Sequence, residues 1–580
     1  MGDNKNFFPF LAISIAILFG YQFFIAGPRN EEALIKYDQQ MAEQAALDAV
    51  NGTSIGAPTA SDAPLAPTKR ASAQSNSLAY QDAGFVGIET AELSGSISLR
   101  GGHFDDLTLV KHKVSMEDGA ENVRLFEKFN AEEPYYADFS WYGQTGTKVP
   151  DLTSAWTSDH DLLTPETPVT LAWDNGEGAK YMMYIEVDDQ FMFTVTQSVI
   201  NTSDKPLTLA PYGAIRRSSI PESQGLYILH EGMIGVFGGI LEEISYDDIA
   251  DDGEFDKPST GGWMGITDKF WMATLIPDNK IELKRARFKY TERGGQGTYS
   301  ADYAQDWQVV APGASLETTN RIYAGAKIVG SIDEYAAKLD IVLFDRAIDW
   351  GYFWFLTQPI FVGLHYLFEI TGNYGIAILM MTVVLKLLLF PLANKSYVSM
   401  SHMKKAQPKI KALQEKYGDD KQKMQQEMMA LYKKEKINPM AGCLPMIPQM
   451  FIFFSLYKTL LVTIEMRHQP FFGWITYLSA ADPLTPVNLF GLIPWDPPSF
   501  LAIGVLPILM GASMYLQQKM NPQQASMDPA QQKIMNMLPF VFTFIMASFS
   551  AGLVLYWTWN NILSIAQQSL IMRREAAKNA

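Results

Sequence analysis

Residues 376–392 read IAILMMTVVLKLLLFPL, an apolar run with a single charge, Lys386, set inside it. With its flanks, 374–394, the run reaches the roughly 20 residues that carry a helix across a ~30 Å hydrocarbon core. Outward from it, residues 437–460, 499–516 and 534–572 are also apolar. The last is too long for one crossing, and its Ser550-Ala551-Gly552 marks a tight turn between two helices. Toward the start, residues 7–26 (FFPFLAISIAILFGYQFFIA) are uncharged and follow Lys5. The competing reading is a cleaved signal with a processing site at Ala26-Gly27, but the run exceeds a signal core and reads as a retained anchor. Six spans result, so both termini lie on one side.

Lysine and arginine counts in the short loops set the orientation. The loop 395–436 holds eleven lysines, 517–533 holds Lys519 and Lys533, and the tail holds Arg573, Arg574 and Lys578, whereas 464–498 holds Arg467 alone. The lysine-rich loops and both termini are predicted to be cytoplasmic, with residues 27–350 exported. Charge agrees. Residues 27–340 carry 48 Asp+Glu against 25 Lys+Arg, a net of −23 within a chain of net −16, which leaves +7 for the remainder. An acidic exported region is not built to hold nucleic acid. The one cysteine, Cys443, rules out an intramolecular disulfide and a cysteine-cluster metal site.

Residues 27–80, rich in Ala, Ser, Gln, Pro and Thr from residue 40 on, read as a flexible linker. From 81 to 335 short alternating runs follow, such as Tyr181-MMYIEV-Asp188, Gln190-FMFTVTQSVI-Asn201 and Gly225-LYILH-Glu231. Asp174-Asn-Gly, Asn201-Thr-Ser-Asp and Pro277-Asp-Asn punctuate them. This spacing predicts an antiparallel β-sandwich. Nothing in it marks a catalytic centre: His103, His112, His160 and His230 are scattered, and Gly143-QTGT-Lys148 lacks the glycine spacing of a phosphate loop. Residues 340–371, with DRAIDWGYFWFLTQPIFVGLHYLFEI at 345–370, mix aromatic and polar side chains and contain Pro359. They read as an amphipathic helix in the outer interface, because a full crossing would reverse the lysine asymmetry.

Lys386 lies eight residues from Asn394, roughly 12 Å below the cytoplasmic boundary. A lysine at that depth costs on the order of 3 kcal/mol, so it should face a water-filled cavity or a partner; the bland alternative is snorkelling. Thr382 shares its helical face. In the last span Tyr556, Asn560, Ser564 and Gln567 form a polar stripe with Trp557 beside it. A stripe of this kind ordinarily serves interhelical hydrogen bonding; beside a buried lysine it suggests a shared hydrophilic groove. The loop 395–436 reads as a helical hairpin, 396–417 and 421–435, with a kink or early break at Pro408. Met400, Met403, Met424 and Met428 alternate there with lysines including Lys404 and Lys405, a composition suited either to varied apolar partners or to a solvated hairpin with a few packed methionines.

Residues 418–451 (GDDKQKMQQEMMALYKKEKINPMAGCLPMIPQMF), 528–545 (DPAQQKIMNMLPFVFTFI) and 550–568 (SAGLVLYWTWNNILSIAQQ) resemble the YidC family of membrane protein insertases, in its Gram-negative form. The likeness is strong over about 340–575 and weaker over 81–330. It implies an α-helical polytopic inner-membrane protein with six transmembrane helices. Residues 372–575 would hold a five-helix insertase core, and 81–335 a periplasmic antiparallel β-supersandwich. It also implies insertion and chaperoning of nascent membrane proteins without ATP or cofactor, alone or with the Sec translocon. Ribosome and signal-recognition contacts would be made through the cytoplasmic loops. By motif position Lys386 takes the place of a positive groove residue that is arginine in many relatives, and Thr382, Tyr556 and Trp557 fall at groove or substrate-contact positions. The competing class, a solute transporter, ordinarily shows internal repeats and paired broken helices, which this sequence lacks.

Overall fold

The computed structural model describes residues 84–578 apart from 116, 118, 221–228, 294–295, 418–419, 436–444, 491, 494, 496, 498–501 and 522–528. The expected anchor 1–26 and linker 27–80 lie outside these residues, and so does most of the expected strand at 225–231; the strand that follows is Gly232–Phe237.

Strand Ala179–Val187 shows how the β-rich region folds. Ala179, Tyr181, Met183, Ile185 and Val187 are buried while the residues between them are not, as a period of two requires when one face meets a core. It pairs antiparallel with Met192–Asn201, Phe193 opposite Val187 and Asn201 opposite Ala179. The reversal is made by Asp188, whose carboxylate accepts from the N–H groups of Gln190 at 2.9 Å and Met192 at 3.0 Å. One turn earlier, Asn175 Oδ1 accepts from Glu177 and Ala179, and Gly176 supplies the positive φ of +72° that the turn needs.

Such strands build an eleven-stranded and a nine-stranded sheet. The sheets pack face to face: the Phe104 and Phe193 rings lie 5.3 Å apart, and Gln197 Nε2 of one sheet donates to the Ser140 carbonyl of the other at 2.8 Å. Gln197, Asn320, Gln305 and Thr318 are buried and bond to one another, so these interior amides are not left unpaired. The β-sandwich expected from the alternating runs is present.

Two helices belong to this part, α1 (Tyr246–Asp252) and α2 (Val329–Lys338). Beyond it come α3 (Trp354–Thr371), α4 (Tyr374–Leu388), α5 (Phe390–Tyr417), α6 (Lys421–Lys434), α7 (Met446–Val462), α8 (Val505–Lys519), α9 (Pro529–Met546) and α10 (Ala551–Ala577). Gly372, with φ +66°, ends α3 by returning its N–H to the Phe368 carbonyl, and Asn373 caps α4 by accepting from Ile376 N.

The run at 374–394 is not one straight helix. It stops at Leu388, bends by 67° and resumes at Phe390. Pro391 is the physical cause: it has no N–H for the Leu387 carbonyl and its ring crowds that oxygen, yet it sits comfortably in the first turn of α5. Pro408, in contrast, lies inside α5 without ending it. At 1.5 Å per residue α4 covers roughly 22 Å. Among the described residues no single helix is both long and apolar enough to cross a membrane, and the bent α4–α5 pair alone meets that standard by length and composition.

Candidate functional site

Lys386 and Ser564 bring α4 and α10 together. The lysine ammonium donates to Ser564 Oγ at 2.7 Å, and the Ser564 hydroxyl in turn donates to the Asn560 carbonyl at 2.8 Å, which leaves the hydroxyl lone pairs facing the cation. Among the described residues no carboxylate forms an ion pair with Lys386. A charge-assisted bond to a hydroxyl holds the lysine in place while leaving most of its charge unneutralised.

Around this contact lies a cavity of about 130 Å³ to which α4, α5, α7, α8 and α10 all contribute. Thr382, Lys386, Tyr556 and Asn560 line it. Its wall is polar where α10 faces α4 and apolar where Leu385, Leu389 and Ile452 stand. The space is large and polar enough to admit several waters or an extended polar side chain.

Trp557, expected beside the stripe, and the stripe's last member are placed differently. Trp557 does not line the cavity; its ring packs 4.6 Å from Phe453 and 5.8 Å from Phe542. The stripe ends on Gln568, not Gln567: Gln568 is buried, lines the cavity and donates to the Met520 carbonyl of α8. The lining follows the i, i+4 row Tyr556–Asn560–Ser564–Gln568, which drifts about 40° per step around a helix of 3.6 residues per turn.

The hairpin of α5 and α6 is internally packed. Met403 joins Ala406 and Ile410 of α5 in a small core against Met428, Leu431 and Tyr432 of α6. Met400 packs instead with Ala393, Tyr397 and Ile571, and it also lines the cavity. Met424 is half-buried, whereas Lys404 and Lys405 are exposed. Asp420 caps α6 by accepting from Lys423 N, and Lys409 pairs with Glu435 at 2.6 Å.

At the opposite end, residues 478–484 between α7 and α8 cover the starts of α8 and α10. Ala480 and Leu478 carbonyls accept from the N–H groups of Ala551 and Gly552 at the start of α10. The Asp482 carboxylate accepts from Leu506 N of α8 at 2.6 Å, from Leu484 N and from the Trp474 indole. Gly375 leaves room for the Phe471 ring, where any Cβ would collide. The first N–H groups of two helices, otherwise orphaned, are thus satisfied by one loop.

The same loop grips the β-sandwich. Glu465 Oε1 accepts from Val329 N at 2.8 Å, capping α2, which has no side-chain cap of its own. Arg467 donates to the Val114 carbonyl and lies over the Trp271 ring at 5.0 Å. Burial pushes the Glu465 carboxyl up, against the pull of two backbone N–H groups.

Sequence reasoning missed Lys458 of α7 and its partner Asp349, whose charged atoms are 2.6 Å apart. The signal was present: Lys458 is a second lysine inside an apolar run.

Residues 366–578 match the family described as 60Kd inner membrane protein, and residues 86–362 match the YidC periplasmic domain. The membrane protein insertase YidC of Methylorubrum extorquens is 44% identical over 599 residues, covering 100% of this chain and 96% of that protein. That of Rhizobium meliloti is 44% identical over 584 residues, covering 100% and 97%. A solved structure titled as an active YidC insertase with its first transmembrane domain resolved covers 84% of this chain and 95% of its own, at 15% identity and a TM-score of 0.36.

Proposed function

Because the chain belongs to the YidC family of membrane protein insertases, we propose that it works through the cavity around Lys386. That family is named for inserting proteins, not for a chemical reaction, and its relatives are inner-membrane proteins. A short polar flank of a client enters from the cytoplasmic side. Lys386, Thr382, Tyr556 and Asn560 stand in for the water it gives up. This lowers the cost of carrying polar groups into hydrocarbon, and partitioning of the client's apolar helix into lipid drives the step.

The observation that carries this reading is a partly buried lysine bonded to a neutral hydroxyl inside a cavity of mixed polar and apolar lining. A carboxylate partner would have spent the charge; without one, an acidic flank still gains by approaching it. Further support comes from the exposed apolar side chains of the helices, among them Val384 and Leu387 on α4, Met450 and Phe454 on α7, and Phe540 and Phe544 on α9. They suit a lipid surround.

Within the same reading the chain crosses the inner membrane six times, by the anchor at 7–26 and by α4, α7, α8, α9 and α10, with cytoplasmic termini and a periplasmic β-sandwich. Helices shorter than the hydrocarbon core are met by local thinning of the bilayer. The exposed lysines of the hairpin contact the ribosome and the signal-recognition pathway, and larger clients are chaperoned together with the Sec translocon. Proteoliposomes containing this chain alone test the core of the proposal. A short single-span client should insert without ATP, and insertion no better than in protein-free liposomes would refute it.

A further inference from the structure

The stretch 470–495, PFFGWITYLSAADPLTPVNLFGLIPW, joins α7 to α8 and carries one charge, Asp482. That charge is buried and occupied by α8 and Trp474. The outer surface of the stretch presents Phe472, Leu489, Phe490, Leu492, Ile493 and Trp495, all well exposed; Leu492 is 82% exposed. Loops in water are seldom built this way, and several large apolar side chains exposed together in one stretch mark a binding surface.

The patch is held in shape. Leu489 and Phe490 both have positive φ, 51° and 61°, a region that bulky side chains avoid. Their N–H groups are fixed to the Pro486 and Thr485 carbonyls at 3.0 Å each, with Thr485 Oγ1 accepting from Val487 N. Backbone strain of this kind persists when surrounding contacts over-determine it; here it turns two large apolar side chains outward.

We infer that this loop is seated in the outer headgroup region of the bilayer, with its apolar tip in lipid. Continuity in sequence favours lipid over a protein partner: the stretch precedes α8, whose first turns expose Ile508 and Leu509. Tryptophan at both edges, Trp474 and Trp495, matches the preference of indole for the membrane–water boundary. A tip of this depth reaches about 5–10 Å into the headgroup and acyl boundary. The seated loop fixes the outer ends of α8 and α10 at one depth, so it sets where the cavity lies in the membrane.

The inference rests on the helices being embedded in a bilayer, and its test separates the two. In the full chain with Cys443→Ser, single cysteines are placed at Leu492 (Leu492→Cys), at Val384 on α4 and at Asp204 in the β-sandwich. Each is labelled with an environment-sensitive dye and reconstituted in phosphatidylethanolamine–phosphatidylglycerol vesicles. Nitroxide lipids labelled near the headgroup should quench Leu492 strongly, with iodide quenching it far less than Asp204. If iodide quenches Leu492 as it does Asp204 while nitroxide lipid quenches Val384, the helices are embedded and this inference is wrong. Shielding of Leu492 from both quenchers means a protein covers the patch, a second copy or another chain, and overturns it too. Lack of lipid quenching at both Val384 and Leu492 overturns the membrane reading and the inference together.

Discussion

Lys458 Nζ on α7 lies 2.6 Å from Asp349 Oδ2 on the segment entering α3. Asp349 also accepts from the N–H groups of His230 and Gly351, and Gly351 has φ +71°, with the lysine stem 3.1 Å from where a Cβ would sit. Burial works to raise the Asp349 carboxyl, but the Lys458 charge and these donors outweigh it and hold it below the usual carboxylate range. Its stabilising contribution is therefore present above the ordinary value of 3.8 and is lost as pH falls through the lower folded value.

Removing the lysine should cost more than removing both charges. Lys458→Met leaves a buried carboxylate without its cation, a loss of about 3–5 kcal/mol, whereas Lys458→Met combined with Asp349→Asn should recover much of it. Thermal unfolding in detergent, followed by tryptophan fluorescence, checks this. A double variant no more stable than the single one would show that the pair is not coupled.

Lys327 gives the β-sandwich an alkaline signature. It is fully buried with its ammonium on Thr267 Oγ1, and burial lowers its pKa from 10.5 to about 8, against the pull of Asp349, Asp268 and Glu231. The unfolded chain binds the extra proton between these values, so stability should rise by up to ~3 kcal/mol as pH goes from 8 to 10.5. It should be insensitive to this group below 8. In Lys327→Met the rise should vanish, whatever the variant's absolute stability. Denaturant unfolding across that pH range measures both slopes.

Asp482 is expected to act locally. Asp482→Ala removes the side-chain acceptor for Leu506 N at the start of α8 and the partner of the Trp474 indole, a cost of about 1–2 kcal/mol. Hydrogen exchange should show faster exchange at Leu506 with α5 and α6 unchanged. Equal protection of Leu506 in both proteins would mean that other donors and acceptors hold the helix start.

At Lys386 charge should matter more than fork geometry. Lys386→Arg should keep client insertion, and Lys386→Glu should impair most strongly the clients with acidic translocated segments. Equal activity of all three in reconstituted vesicles would remove this residue from the mechanism.

Much of the fold was legible because its signals are local. Alternation in 179–187 and the Asp188 turn can be read from adjacent residues, and Asn175-Gly176 announces its own reversal. The bend at Leu389 was less visible, since Pro391 falls near the end of an apolar run and its effect depends on where the next helix begins. Lys458 was missed because one charge in an apolar run reads equally as snorkelling, and its partner lies 109 residues away in sequence. Trp557 illustrates the limit of adjacency: it follows Tyr556, yet one residue is about 100° around a helix, which turns it from the cavity toward Phe453. The choice between Gln567 and Gln568 depends on the direction in which α8 packs, a tertiary fact.

The central claim, that a client's polar flank enters the cavity at Lys386, is tested most directly by site-specific photo-crosslinking. A crosslinker is placed at Thr382 or Asn560, which line the cavity, or at the exposed Tyr184 of the β-sandwich, and a short membrane protein is translated with membranes containing each variant. Strong adducts to ribosome-bound nascent chains are expected at Thr382 and Asn560, and none at Tyr184. Absence of adducts at both cavity positions, with insertion unchanged when the chain is depleted, would contradict the account.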